Sequence, residues 1–172
     1  KYETHIVVEF EKEWGEPLKT VTTPLKTGVD KDDHAKAELP GFFADTCRTH
    51  TMRLEWVVRG SRPDLAAATQ RLTRNLHRWS IEDDEGLVRI MRYLKGTLGL
   101  GLMFTVWLPD IRDCDGGTWI DFYTDSDLNG DPRTTKNTSC WVLLYKGRKT
   151  HACLDWSSKK QLSMEIATAA AE

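Results

Sequence analysis

Cysteine is scarce in this chain and does not pair. The 172 residues carry four, Cys47, Cys114, Cys140 and Cys153, and no two stand in a C-x-x-C spacing. That spacing is what zinc ribbons and dithiol centres need, so the sequence gives no sign of structural zinc. Cys140 and Cys153 fall in neighbouring predicted strands and read as reduced thiols of an intracellular protein, in cytoplasm or nucleus. Histidine is equally dispersed: His5, His34, His50, His77 and His151 form no triad with a nucleophile. No apolar run reaches membrane length and no signal-peptide pattern is present, so the sequence points to no membrane partner. Asn137-Thr138-Ser139 is therefore a chance sequon. Charge of one sign is lacking too. The net charge of −2 does not by itself announce a polyanionic partner. The chain opens on Lys1 and stops abruptly at Glu172, which reads as a fragment or degenerate copy of something longer.

What is present is ordinary globular material, 40% hydrophobic and 29% charged, enough for a core. Tyr2, Ile6, Phe10 and Trp14 recur every fourth residue, a helical stripe that Gly15-Glu16-Pro17 ends. Residues 26–39 are polar, with a charge run at Asp30-Lys31-Asp32-Asp33, and read as an exposed linker. Three helices are expected next. The first covers about 44–58, with Cys47, Thr51, Leu54 and Val58 inward. The second starts at Pro63 and lines up Leu65, Ala68, Leu72 and Leu76. Ser80-Ile81-Glu82-Asp83 is a capping box for the third, which buries Leu87, Ile90, Met91 and Leu94 and stops at Gly96 and Gly99.

Beyond Gly99 the period changes from helical to alternating. Strands are expected at 100–108, 118–124, 139–145 and 151–156, with a polar loop at 109–117 and a tight turn at Lys146-Gly147-Arg148-Lys149. An Ala-rich helix start then ends at Glu172. The fold class is therefore mixed α and β: a helical segment followed by a partial mixed sheet.

The most informative stretch is Tyr123-Thr124-Asp125-Ser126-Asp127-Leu128-Asn129-Gly130-Asp131. Carboxylates crowded at a strand end repel one another, and a protein tolerates that chiefly to hold a cation or to move protons. Two other readings compete. Asp125, Asp127, Asn129 and Gly130 open like an EF-hand loop, but Lys136 occupies the position that needs a bidentate Glu. The same residues, followed by Asp131-Pro132, also suit a solvated turn.

The wider arrangement resembles the ribonuclease H region of copia-type LTR retrotransposon Pol polyproteins. Tyr123-Thr124-Asp125-Ser126-Asp127-Leu128-Asn129-Gly130-Asp131-Pro132 is similar to the family's Y-S-D-A-D-W-A-G-D-P. Trp156-Ser157-Ser158-Lys159-Lys160-Gln161 matches its W-S-S-K-K-Q, and Thr135 to Val142 resembles R-x-S-T-S-G-Y-V. Ala167-Thr168-Ala169-Ala170-Ala171-Glu172 stands where the family has S-S-T-E-A-E. Upstream, Ser61-Arg62-Pro63-Asp64-Leu65 resembles T-R-P-D-I, and Arg92-Tyr93-Leu94-Lys95-Gly96-Thr97 reproduces R-Y-L-K-G-T. The blocks run in family order from Thr23, where Val21-Thr22-Thr23-Pro24-Leu25 looks like V-x-T-P-L, to Glu172. The chain departs from the pattern at Leu128 for Trp, Cys140 for Gly and Ala170 for Glu.

The resemblance implies four regions: a thumb-like helix and extended segment at 1–25, a linker at 26–43, a helical connection region at 44–99, and the N-terminal part of a ribonuclease H-like domain at 100–172. It implies a parent that cuts RNA in RNA–DNA hybrids with two Mg²⁺ or Mn²⁺ ions, held by about four carboxylates from different elements. Asp125 would be the ligand from the first strand and Glu172 the ligand from the first helix, both catalytic by resemblance. Asp127 lies beside the site and is not taken as a ligand. The two remaining carboxylates lie downstream in the family, so a polypeptide of these 172 residues is expected to be inactive by itself. No Tyr-x-Asp-Asp run occurs, so DNA synthesis is not carried here.

Local charge matters more than the net value. Arg71, Arg74, His77 and Arg78 cluster, as do Arg89, Arg92 and Lys95. Arg148 and Lys149 sit at a hairpin tip, and Lys159 and Lys160 precede the last helix. Each group alone reads as a solvated face. Beside a nuclease site, Arg148, Lys149, Lys159 and Lys160 become candidate phosphate contacts for a hybrid or other nucleic acid. Expected partners are that nucleic acid, the rest of the Pol polyprotein, and a second copy through the open edge of a half-sheet. The competing function is a non-catalytic nucleic-acid- or protein-interaction module left by a decayed element.

Overall fold

The computed structural model describes residues 1–26, 39–112, 117–127 and 137–161, with the side chain of Asp127 excepted. The chain divides into two compact units, Lys1–Gly101 and Leu102–Glu172.

The first unit is helical. Helix α1 (Tyr2–Trp14) buries Ile6, Val7 and Phe10 and ends at Gly15, whose φ of 85° only glycine adopts freely. Helix α2 (Cys47–Gly60) begins three residues later than the stripe alone suggests. The reason is a carboxylate: Asp84 accepts the backbone N–H groups of Phe42 and Phe43 and the Trp79 indole N–H, holding the residues before α2 in a turn. A 3₁₀ turn (Pro63–Leu65) leads into α3 (Ala66–Thr73). Helix α4 (Ile81–Gly96) carries the expected capping box, with Ser80 and Asp83 exchanging side-chain and backbone bonds. The helices share one core, in which Phe10, Phe43, Leu54, Leu65, Leu87, Met91 and Leu94 are all fully buried. Each such side chain is worth about 1.5–3 kcal/mol of transfer free energy before the entropy of ordering is subtracted.

The helical unit is also tied by a buried guanidinium. Arg62 is 0% exposed. It donates to both Asp64 oxygens at 3.0 and 2.8 Å, to Glu3 at 3.4 Å, and to the Thr97 carbonyl and hydroxyl at 3.0 and 2.7 Å. Tyr93 donates to Asp64 at 2.9 Å and lies under the guanidinium. Burial opposes the Arg62 charge, yet Asp64 and Glu3 hold its pKa above the ordinary value. The clamp joins the start of α1, the 3₁₀ turn and the end of α4.

The second unit is a three-stranded antiparallel sheet in the order β1 (Thr118–Asp127), β2 (Thr138–Gly147), β3 (His151–Lys160). Three expectations change here. Residues 100–108 make no ladder strand: Thr105 alone bridges His151, and the segment turns into the short helix α5 (Leu108–Arg112), with Pro109 suited to its first turn. The expected loop at 109–117 thus begins as helix, because the Asp110 carboxylate accepts the Lys149 and Thr150 N–H groups and pins the β2–β3 turn. Strands β1 and β3 both run past their expected ends, so Ser157, Ser158, Lys159 and Lys160 belong to the ladder rather than to a loop. The Ala-rich helix, Cys114 and most of the linker lie outside the described residues.

Candidate metal and nucleic-acid site

Strand alternation places Asp121, Tyr123 and Asp125 on one face of β1. Asp125 lies inside the strand, paired in register with Cys140, rather than at its tip. Cys140 is in turn paired with Ser158, so the cross-strand neighbours of Asp125 are a thiol and a hydroxyl. Asp125 is exposed and accepts the Ser126 N–H at 2.9 Å. It has no ion-pair partner among the described residues.

Asp121, four residues back on the same face, is already committed. Lys146 sits 2.8 Å from its carboxylate and 3.2 Å from the Tyr123 hydroxyl. The Lys146 hydrogen bond holds the Asp121 carboxyl below its usual range, and Asp121 raises Lys146 in return. A carboxylate neutralised in this way is not offered to a cation, which leaves Asp125 as the open one.

Glu172 lies outside the described residues, as does the acidic turn at 128–136, so its pairing with Asp125 is not described. Asp127 pairs with Thr138 in the ladder. Among the described residues no group of three or more His, Cys, Asp or Glu side chains is placed to hold a metal ion. The described part therefore offers Mg²⁺ one carboxylate, whereas that ion takes six oxygen ligands and gives up its waters reluctantly.

The four candidate phosphate contacts do not form one patch. Lys159 and Lys160 neighbour Ser158 and so sit at the Asp125 end of the sheet, on opposite faces by alternation. Arg148 and Lys149 are at the β2–β3 turn, roughly 25 Å away along the strands at about 3.3 Å per residue. Lys149 Nζ also lies 4.7 Å from the Trp107 ring centroid, a cation–π contact within the unit. Only the lysine pair is near the candidate metal ligand.

Large apolar side chains are exposed on both faces of the sheet. Ile120 is 60% and Phe122 61% exposed on one face, with Trp119 and Tyr123 on the other. A sheet normally buries at least one face against another layer.

Two arrangements escape sequence reasoning. Asp110 is a buried structural carboxylate, held below its ordinary pKa by the Lys149 and Thr150 bonds despite its burial. In sequence it looks like any loop acid. The Arg62 clamp has a signal, the Ser61-Arg62-Pro63-Asp64 block, but nothing local reveals that the arginine is inside.

Comparison with known proteins gives consistent relatives. The chain is 29% identical over 155 residues to the retrovirus-related Pol polyprotein from transposon RE2 of Arabidopsis thaliana, spanning 90% of this chain and 10% of that one. It is 30% identical over 112 residues to the retrovirus-related Pol polyprotein from transposon TNT 1-94 of Nicotiana tabacum, 65% of this chain and 8% of that one. It is 31% identical over 108 residues to secreted RxLR effector protein 161 of Plasmopara viticola, 63% of this chain and 68% of that one. The chain thus spans about a tenth or less of the Pol relatives' length. No family model and no solved structure matches. Among the described residues no helix is long and apolar enough to cross a membrane.

Proposed function

The chain belongs to the retrovirus-related Pol polyproteins of copia-type retrotransposons, and we propose that it carries the connection region and the first part of a ribonuclease H domain. In this reading the parent polyprotein hydrolyses the RNA strand of RNA–DNA hybrids. Asp125 contributes one carboxylate to a Mg²⁺ or Mn²⁺ site, and Glu172 contributes the next. When bound, the metal pair activates water and stabilises the leaving oxygen of the scissile phosphate. The role of this chain's own residues is narrower. Asp125 presents an uncommitted carboxylate from a rigid strand, Lys146 keeps Asp121 out of competition, and Lys159 and Lys160 lend positive charge nearby.

The observation that carries the reading is the difference between two acids whose side chains are described on one face: Asp121 is ion-paired at 2.8 Å and Asp125 is exposed. The exposed apolar faces of the sheet fit a domain whose further layers come from more of the polyprotein. The test is a thermal-shift titration with Mg²⁺. Stabilisation in the millimolar range that disappears in Asp125→Asn supports the ligand role. Equal shifts in both proteins overturn it.

A second reading has its own support. The chain spans 68% of secreted RxLR effector protein 161, a far larger share than of any Pol relative compared above. A segment of this size in a short protein is a candidate interaction module without catalysis. Hybrid cleavage abolished by Asp125→Asn would exclude it.

A further inference from the structure

The search for a second functional surface leads to the helical unit. Helix α2 buries Cys47, His50, Thr51, Leu54, Val57 and Val58. At 100° per residue the opposite arc carries Arg48, Met52, Trp56 and Arg59, with Arg53 at its border. Trp56 is 70% exposed and Met52 46%. A tryptophan so far out of the core on a regular helix gives up burial that its neighbours take. The arginines around it are not consumed by ion pairs. Arg59 reaches Glu55 only at 4.0 Å and remains 81% exposed. Glu55 is the sole acid on the helix, and burial weakens it as a competitor by raising its carboxyl pKa.

From these observations we propose that this face of α2 binds a single-stranded stretch of nucleic acid. A base stacks on the Trp56 indole, and Arg48, Arg53 and Arg59 contact the flanking phosphates. Charge complementarity selects a polyanion: Arg48 and Arg59 are exposed on the face of Trp56, partly exposed Arg53 borders it within electrostatic reach of Glu9 and His50, and the only acid of the helix is half-buried. The open indole selects unpaired bases, because a duplex hides their faces while a single strand offers them. By helical rise Arg48 lies about 12 Å and Arg59 about 4.5 Å from Trp56 along the axis, so phosphates on both sides of one stacked base come within reach. The surface does not use Asp125 or the sheet, so it stands apart from the cleavage reading.

The test uses the whole 172-residue chain with fluorescein-labelled oligo(dT) and oligo(rU), an RNA–DNA hybrid as comparator, and anisotropy as readout. Single strands should bind more tightly than the hybrid. Trp56→Ala should weaken binding about tenfold or more, and Trp56→Phe should restore most of it. Replacing Arg48, Arg53 and Arg59 together by Ala should lower the salt slope by about two, at roughly 0.7 per single-strand phosphate contact. Binding is read without added Mg²⁺ or Mn²⁺, and Lys12→Ala, an exposed cation of α1 outside both sites, should change neither value, which separates failure here from failure of the metal site. Exposure of these side chains keeps the variants folded, and circular dichroism checks that. Unchanged affinity in Trp56→Ala, preference for the hybrid, or no binding overturns the proposal. So does self-association that Trp56→Ala abolishes, since that assigns the face to a protein partner.

Discussion

Replacing Arg62 by Ala should unfold the helical unit more readily than any change on its surface. The guanidinium is fully buried and makes five bonds to Asp64, Glu3 and Thr97. Its removal strands two carboxylates. Breaking a buried pair from one side costs about 3–5 kcal/mol, mostly as the penalty of the charge left behind. The Glu3 side chain is 17% exposed and that of Asp64 35%, so water recovers part of the loss and the lower bound of about 3 kcal/mol applies. Against a domain stability of about 5–15 kcal/mol this is a large fraction. Urea unfolding followed by far-ultraviolet circular dichroism reads α1 to α4. With a slope near 2 kcal/mol per molar, the midpoint falls by about 1.5 M. The cause is tested by a compensated variant, Arg62→Met with Asp64→Asn and Glu3→Gln, which removes all three charges. It should recover at least about half of the loss. A shift below about 0.3 M for Arg62→Ala, or a compensated variant no better than the single one, refutes the reasoning.

His50 gives a pH dependence with a definite sign. It is buried against Phe10 and Phe43, and burial lowers its pKa although Glu13, 3.0 Å away, pulls the other way. A lowered folded pKa means the unfolded chain binds the proton first. Its contribution is therefore complete above about pH 6.5 and lost as pH falls below that value. Melting temperatures of wild type and His50→Gln should converge on acidification. Ser80→Ala removes the α4 cap and should cost about 1 kcal/mol, within a range of about 0.5–2, by thermal unfolding. Gly41→Ala should be more harmful, because a Cβ there would meet the Ser80 carbonyl at 2.6 Å and the Asp84 carboxylate at 2.7 Å. The loss should show as a lower urea midpoint. Lys146→Ala should leave the melting temperature nearly unchanged, as water screens a partly exposed pair.

Legibility in the sequence followed the physics of each element. Helices α1 to α4 were readable because period and caps agree: the Phe10 stripe stops at a left-handed Gly15, and Ser80 with Asp83 marks the start of α4. The start of α2 was not, since the turn before it is held by Asp84, some forty residues away. The alternation at 102–106 looked like a strand, but pairing is a property of two chains, and only Thr105 finds a partner. The sequence pattern puts Asp125 at the end of its strand, yet β1 continues past it, because the register with β2 extends to Asp127 and Thr138. The four phosphate-contact candidates were grouped by composition and separated by geometry, as the two ends of one hairpin are far apart in space. Trp56 and its arginines fell outside every composition cluster, because a helix gathers residues three and four apart that sequence order scatters.

The central claim is that Asp125 is the open metal carboxylate of this sheet. Substoichiometric Mn²⁺ added to isotope-labelled chain, followed in the amide proton–nitrogen spectrum, tests it most directly. The account predicts broadening centred on Asp125 and Ser126 and extending to Cys140 and Ser158, absent in Asp125→Asn and retained in Asp121→Asn. Broadening centred on Asp121, or a pattern indifferent to both substitutions, would contradict it.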